Sequence, residues 1–255
     1  MNTPLKVWLE AEGRLLRLRL SRPKANLIDA EMIAALDGAL LEHLKNPSLG
    51  ALLLDAEGPQ FSFGASVEEH LPAKCAAMLL GIHRLIMRLV ESPIPVLVAV
   101  HGQCLGGGLE LALAGHLVFV APDAVLGQPE MKLGVFAPAA SCLLPELVGP
   151  GRAIDLLLSG RSISGTEAAT IGMACAVTAE PERAALAYFD EYLKPKSASS
   201  LRYAVKAARL DYAGRVKRKI ESVERLYLDE LMKTHDAVEG LEAFVGKRAA
   251  QWQHR

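Results

Sequence analysis

Residues 94 to 121 pass through a strand-length apolar stretch, IPVLVAV, a glycine loop, HGQCLGGG, a helical stretch, LELALAG, and a second strand-length stretch, LVFVA. Strand, loop, helix and strand at these lengths predict a parallel α/β sheet, whose ligands gather in the loops at the strand ends. The same alternation fills the first 180 or so residues. LKVWLEAEGRLLRLRL predicts two strands about a turn at Gly13, with Leu16, Leu18 and Leu20 on a buried face and Arg17 and Arg19 on a wet one. Asp29 is a capping candidate for a helix over DAEMIAALDGALLEHLKN, GALLLDAEG is a short strand, and a helix from about Ala76 to Ser92 stops at Pro93. PDAVLGQPEMKLGVFAPAA reads as a loop leading into another helix. Beyond about residue 180 helix follows helix, so the chain divides into an α/β core, 1–195, and a helical region, 196–255, with the boundary in KPKSASS.

A chain of 255 residues that is 51% hydrophobic can bury a sizeable core. Its 28 basic and 29 acidic residues leave no positive excess, which argues against a general nucleic-acid binder. The N-terminal stretch carries scattered charges and no secretory core, and no run approaches the roughly 18 apolar residues of a membrane span. The expectation is a soluble cytoplasmic protein without membrane or nucleic-acid partners. Cys75, Cys104, Cys142 and Cys175 are far apart and lack metal-ligand spacing, so they are expected to be free thiols, with no metal.

Two loops are suited to backbone chemistry. In FSFGAS, Gly64 permits a conformation closed to other residues and can turn the Ala65 N–H inward; in GQCLGGGLE, three glycines clear side chains from a helix start whose N–H groups are unpaired. Together they could form an oxyanion hole, or they could serve only tight turns and close packing. No Gly-Lys-Ser/Thr follows, so a phosphate loop fits less well. Glu110 lies three residues after Gly107, about one helical turn on, and Glu130 follows the next strand near the same sheet edge. Partly buried carboxylates beside such a hole suit acid and base work on a carbonyl compound; each alone also fits a structural role.

FSFGAS, VHGQCLGGGLELA, GQPEMKLGV and LSGRSISGTEAATIGMACAV, in this order, resemble the enoyl-CoA hydratase, or crotonase, family. RPKAN and EGLEAFVGKRAAQW extend the resemblance over essentially the whole chain. It implies a crotonase-like spiral of ββα units with a helical C-terminal trimerisation region, and a homotrimer or dimer of trimers. It also implies an acyl-CoA thioester as substrate, CoA being part of that substrate and no cofactor being needed. The oxyanion hole falls on the N–H groups of Ala65 and Gly107. Family hydratases carry two glutamates, matched here by Glu110 and Glu130, which favours hydration over isomerisation or dehalogenation. Glu110 would activate water, and Glu130 would handle the proton. Lys24, Ala25, Phe63, Ala65, Phe244 and Lys247 match positions that approach CoA, and each lysine fits an ordinary surface role equally well.

Two stretches depart from the common pattern. FGAS replaces Ala-Gly-Ala-Asp, bringing Phe63 and Ser66, and APAASC replaces Pro-Gly-x-Gly-Gly-Thr, bringing Ala139, Ala140 and Ser141. These changes reshape the acyl pocket and the loop expected to aim Glu130. They are similar to the branch of the family that hydrates cyclohexa-1,5-diene-1-carbonyl-CoA by 1,4-addition. The alternatives are a straight-chain hydratase of β-oxidation, a ring-cleaving hydrolase, and a crotonase-like protein that binds acyl-CoA or RNA without turnover. His101 has no nucleophile motif beside it, Cys104 reads as a small buried thiol, and RVKRKIESVER as a solvated or trimer-facing helix.

Overall fold

A computed structural model describes residues 3–255. The strands are β1 (Leu5–Glu10), β2 (Leu15–Leu20), β3 (Ala51–Ala56), β4 (Val96–Val100), β5 (Gln103–Leu105), β6 (Leu117–Val120), β7 (Val125–Gly127), β8 (Ser162–Ser164) and β9 (Ala176–Val177). The helices are α1 (Ala30–His43), α2 (Pro72–Val90), α3 (Gly107–Leu113), α4 (Pro138–Val148), α5 (Pro150–Ser159), α6 (Gly165–Thr170), α7 (Pro181–Tyr188), α8 (Ala198–Ala208), α9 (Tyr212–Arg225) and α10 (His235–Val245).

The larger sheet runs β1-β2-β3-β4-β6-β9, antiparallel only at the β1–β2 hairpin, and the smaller runs β5-β7-β8. β4 is apolar throughout and β3 is apolar but for Asp55, because both faces are covered, as parallel strands require. Leu52, Leu54, Val96 and Val98 point into the main core, whereas Leu53, Leu97 and Ala99 meet Ala185 and Phe189, at and just beyond the end of α7.

That second layer corrects the expectation of a wet face on β2. Arg17 is buried, ion-paired to Asp55 and, at 2.6 Å, to Glu182 of α7; Arg19 Nε donates to Asp55 at 2.6 Å. Alternation identified the two faces of the strand but not that a later helix would cover the charged one. The Asp29 side chain accepts from the Met32 N–H and starts α1. α2 begins at Pro72, ahead of the expected Ala76, because proline at a helix start loses no hydrogen bond. The stretch read as a loop before α4 contains β7 and a single 3-10 turn, Pro129–Leu133.

Val216 and Ile220 of α9 are buried in the main core, while Arg215 and Lys219 on the same helix hold Glu146 of α4 at 2.7 and 3.1 Å. The basic helix is therefore packed along one side. Among the described residues no helix is long and apolar enough to cross a membrane.

Candidate active site

A cavity of about 510 Å³ opens where the FSFGAS loop, the glycine loop and the turn after β7 meet. The two loops are stitched by backbone pairing: Ser62 N–H donates to Gln103 O at 2.9 Å, and Leu105 N–H to Ser62 O at 3.0 Å. Gly64 has φ +103°, and a Cβ there would stand 2.9 Å from Leu105 O, so glycine is required by both conformation and space. A Cβ at Gly107 would lie 3.2 Å from Ala65 N, which sets the two peptide groups side by side. Among the described residues neither the Ala65 nor the Gly107 N–H has an acceptor. Both edge the cavity, a geometry suited to a thioester oxygen as negative charge develops on it.

Glu110 and Glu130 both line this cavity. Glu110 is 4% exposed, and its Oε1 accepts from the Ala140 N–H at 2.8 Å. Burial pushes its carboxyl above the usual range, opposed by that hydrogen bond and by His83. Glu130 sits on the 3-10 turn; its Oε1 would be 2.6 Å from a Cβ at Gly106, which holds φ +49°. With its amide nitrogen turned toward the carboxylate, buried Gln128 donates to both Glu130 oxygens, at 3.1 and 3.2 Å. Burial first, and then the neighbouring Glu110 charge, raise Glu130 to about 8. Two carboxyls raised by burial, Glu130 to about 8, are suited to taking up and giving up protons near neutral pH, as general acid–base chemistry needs.

The APAASC stretch corrects one expectation. It begins α4, and its Ala140 N–H fixes Glu110, whereas Glu130 is held by its own turn and by Gln128. Phe63, Ala65 and Phe244 line the cavity, with both phenylalanines about half exposed at 45% and 56%. Lys24, Ala25 and Lys247 do not line it. The Ala25 carbonyl accepts from Phe63 N–H at 2.9 Å, and Lys247 N–H donates to Phe244 O at 3.0 Å, so backbone hydrogen bonds tie these segments to the two phenylalanines. Both lysines hold positive φ, +94° and +51°. His101 Nε2 meets Gly58 O at 2.8 Å, and Cys104 is fully buried.

Several lining residues carried no signal in the sequence. Met78, Leu79 and Ile82 come from one apolar face of α2 and look like any core face. His70 also lines the cavity; its Nδ1 lies 2.8 Å from Ser66 O, and burial lowers its proton affinity. The walls are otherwise chiefly apolar, a shape for a hydrophobic acyl group held at one polar end.

The chain is 62% identical over 254 residues, spanning 100% of its length and 98% of the relative, to the cyclohexa-1,5-dienecarbonyl-CoA hydratase of Thauera aromatica. It is 32% identical to a "Probable enoyl-CoA hydratase" of Bacillus subtilis (strain 168), covering 92% of this chain and 94% of that one. The solved structure of an enoyl-CoA hydratase/isomerase from Pseudoalteromonas atlantica T6c superposes with a TM-score of 0.82 at 25% identity, over 98% of this chain and 99% of the other. The crotonase fold expected from the motifs is therefore present. With the family model described as Enoyl-CoA hydratase/isomerase matching residues 10–255, the chain belongs to the enoyl-CoA hydratase/isomerase family.

Proposed function

We propose that this protein is an acyl-CoA hydratase that adds water 1,4 to cyclohexa-1,5-diene-1-carbonyl-CoA, giving 6-hydroxycyclohex-1-ene-1-carbonyl-CoA. The observation that carries this reading is the 62% identity along the whole chain to the Thauera aromatica hydratase. The carboxylate pair and the two free N–H groups supply a chemistry to match.

The thioester oxygen accepts from Ala65 and Gly107 N–H, and this pair stabilises the negative charge that forms when a nucleophile attacks the conjugated ring. Loss of one such donor typically costs about 3–4 kcal/mol of barrier lowering. Glu110, ionised, takes a proton from water, and the hydroxide bonds to the ring carbon β to the thioester. The displaced electron pair moves through the conjugated system, and Glu130, protonated at neutral pH, delivers its proton to the far end of the diene. The apolar walls from α2 exclude other water and hold the flat ring against both carboxyls. Hydration transfers no electrons to a carrier, and CoA enters as part of the substrate, so the reading assigns no further cofactor.

The half-exposed Phe63 and Phe244 flank the CoA moiety in this reading, and Lys24 and Lys247 reach its phosphates. Residues 1–195 form the catalytic core, and 196–255 the region through which three copies assemble, singly or as a dimer of trimers. Four free cysteines accord with work in the reducing cytoplasm.

The test offers cyclohexa-1,5-diene-1-carbonyl-CoA and crotonyl-CoA side by side to the purified protein and resolves products by mass. Gain of one water by the cyclic substrate alone supports the proposal. Rapid hydration of crotonyl-CoA with the diene untouched makes this a straight-chain hydratase. An open-chain dicarboxylic thioester identifies a ring-cleaving hydrolase, and binding without product identifies a non-catalytic relative.

A further inference from the structure

The turn that carries Glu130 is covered on its outer side by the last residues of the chain. Glu130 and Leu133 line the cavity from the inner side of the turn. Just beyond it, Gly134 N–H and Val135 N–H both donate to Glu130 O, the second at 3.3 Å, so the backbone of Glu130 is fixed wherever Gly134 is fixed. A Cβ at Gly134 would stand 3.0 Å from Cζ3 of Trp252 and 2.7 Å from Asp236 O. One at Gly240 of α10 would stand 2.9 Å from Cη2 of Trp252 and 2.1 Å from Leu133 O. The indole therefore lies against the turn and α10 at once, in a slot that two glycines leave open.

Trp252 is held there by hydrogen bonds on either side of it. Gln251 N–H donates to Glu239 Oε1 at 2.7 Å, and Gln253 and His254 N–H donate to the two Asp236 carboxylate oxygens at 2.8 and 2.7 Å. Asp236 N–H in turn donates to Arg255 O at 3.2 Å, and the Arg248 guanidinium donates to both Glu239 oxygens. The last residues of a chain seldom keep one conformation unless tied down, and these are tied to α10 on both flanks of one indole. What lies beneath that ring is the peptide that closes the Glu130 turn.

We propose that Trp252 is a positioning residue: the C-terminal tail, tied down on Asp236 and Glu239, sets its indole against Gly134 and so fixes the turn that presents Glu130 to the cavity. Trp252 does not line the cavity and meets no substrate. It acts through Gly134 and through the hydrogen bonds that end on Glu130 O. Without the ring, the outer side of the turn loses its support and Glu130 moves relative to the paired N–H groups and Glu110. A misplacement of about 1 Å is enough to slow a reaction by roughly 10²-fold, which makes the outer packing of this turn a matter of rate as well as of stability.

The inference rests on the hydratase reading, and its test separates the two. Steady-state kinetics with cyclohexa-1,5-diene-1-carbonyl-CoA are measured for wild type, W252A, W252F, D236A and the double variant D236A/W252A. Hydrogen exchange across residues 128–136 is followed by mass spectrometry in the same proteins without substrate. W252A should lower kcat about tenfold or more with KM within about twofold of wild type, and W252F, which keeps a ring over Gly134, should recover most of that loss. D236A unties the tail but keeps the indole, so it should move kcat the same way to a smaller extent, and the double variant should fall no further than W252A. Exchange across 128–136 should quicken about tenfold in W252A while β3 and β4 exchange as in wild type. Wild-type exchange across 128–136 in both W252A and D236A overturns the proposal, even if neither thioester is a substrate. A loss in W252A carried by KM, or one that W252F leaves unrepaired, also overturns it. Quickened exchange in W252A, in a protein that turns over no thioester, supports the bracing of the turn and sinks the hydratase reading instead.

Discussion

Glu130 is held at about 8 by burial and by Glu110, and its position depends on the space that Gly106 leaves. The folded protein therefore binds a proton at Glu130 more tightly than the unfolded chain, where the ordinary value is 4.5. Stability from this group is complete below that value and is lost as pH rises toward 8. Substitution E130Q should raise Tm at pH 8 by roughly 2–4 °C for each kcal/mol recovered, and the gain should shrink as pH falls toward 5, read by thermal melts in matched buffers. In the wild type, kcat should decline above about pH 8 as Glu130 loses the proton it must donate. Substitution G106A places a methyl group 2.6 Å from Glu130 Oε1 at a positive φ, and should lower kcat about tenfold or more while weakening the fold. Glu110 and the glycines were legible in the sequence because an acid inside an apolar stretch and consecutive glycines at a helix start are costly without a use, whereas Glu130, in a polar loop, was legible through its place after the next strand and through the family resemblance. Ala140 was legible only as a departure, because what it contributes is a backbone N–H.

At the scale of elements, β2 shows where periodicity stops informing. Leu16, Leu18 and Leu20 face the main core as expected, yet Arg17 and Arg19 are covered by α7 and neutralised by Asp55 and Glu182. Nothing within the strand announces a helix that arrives more than 160 residues later. Substitution D55L removes the one buried carboxylate the two arginines share, leaving the interior Arg17 with only the partly exposed Glu182 and Glu10, and should destabilise the protein by about 3–5 kcal/mol in urea unfolding. The site would keep its geometry in whatever fraction stays folded, since Asp55 faces the layer opposite the cavity, so KM should hold near wild type. The β7 segment was hidden for a different reason: three residues in the middle of a small sheet are too few to show a period, although they lead directly into the turn that carries Glu130. Phe63 belongs to this scale too, as the departure that most alters the loop beside the hole. Substitution F63A should shift preference from the cyclic toward the linear thioester, read as a change of at least about fivefold in the ratio of the two kcat/KM values.

The whole molecule combines a two-layered α/β core with a helical tail whose outer face includes Tyr203 and Leu210, 71% and 73% exposed. A groove of about 620 Å³ runs between these side chains and the end of α2. Large apolar side chains so exposed are suited to association, and the proposed assembly predicts three or six copies by light scattering, reduced when L210E puts a charge on that face. Family and fold were legible across the whole sequence because four ordered motifs resemble those of one family, two of them also carrying a local physical demand in their glycine loops. Assembly was legible only through the resemblance, since an exposed leucine has no sequence signature. The central claim, that two buried carboxyls facing one pair of N–H donors perform the hydration, is tested most directly by steady-state kinetics with cyclohexa-1,5-diene-1-carbonyl-CoA on wild type, E110Q and E130Q. Each substitution should lower kcat by about 10²–10⁴-fold with KM nearly unchanged. Wild-type turnover in either variant would contradict the account.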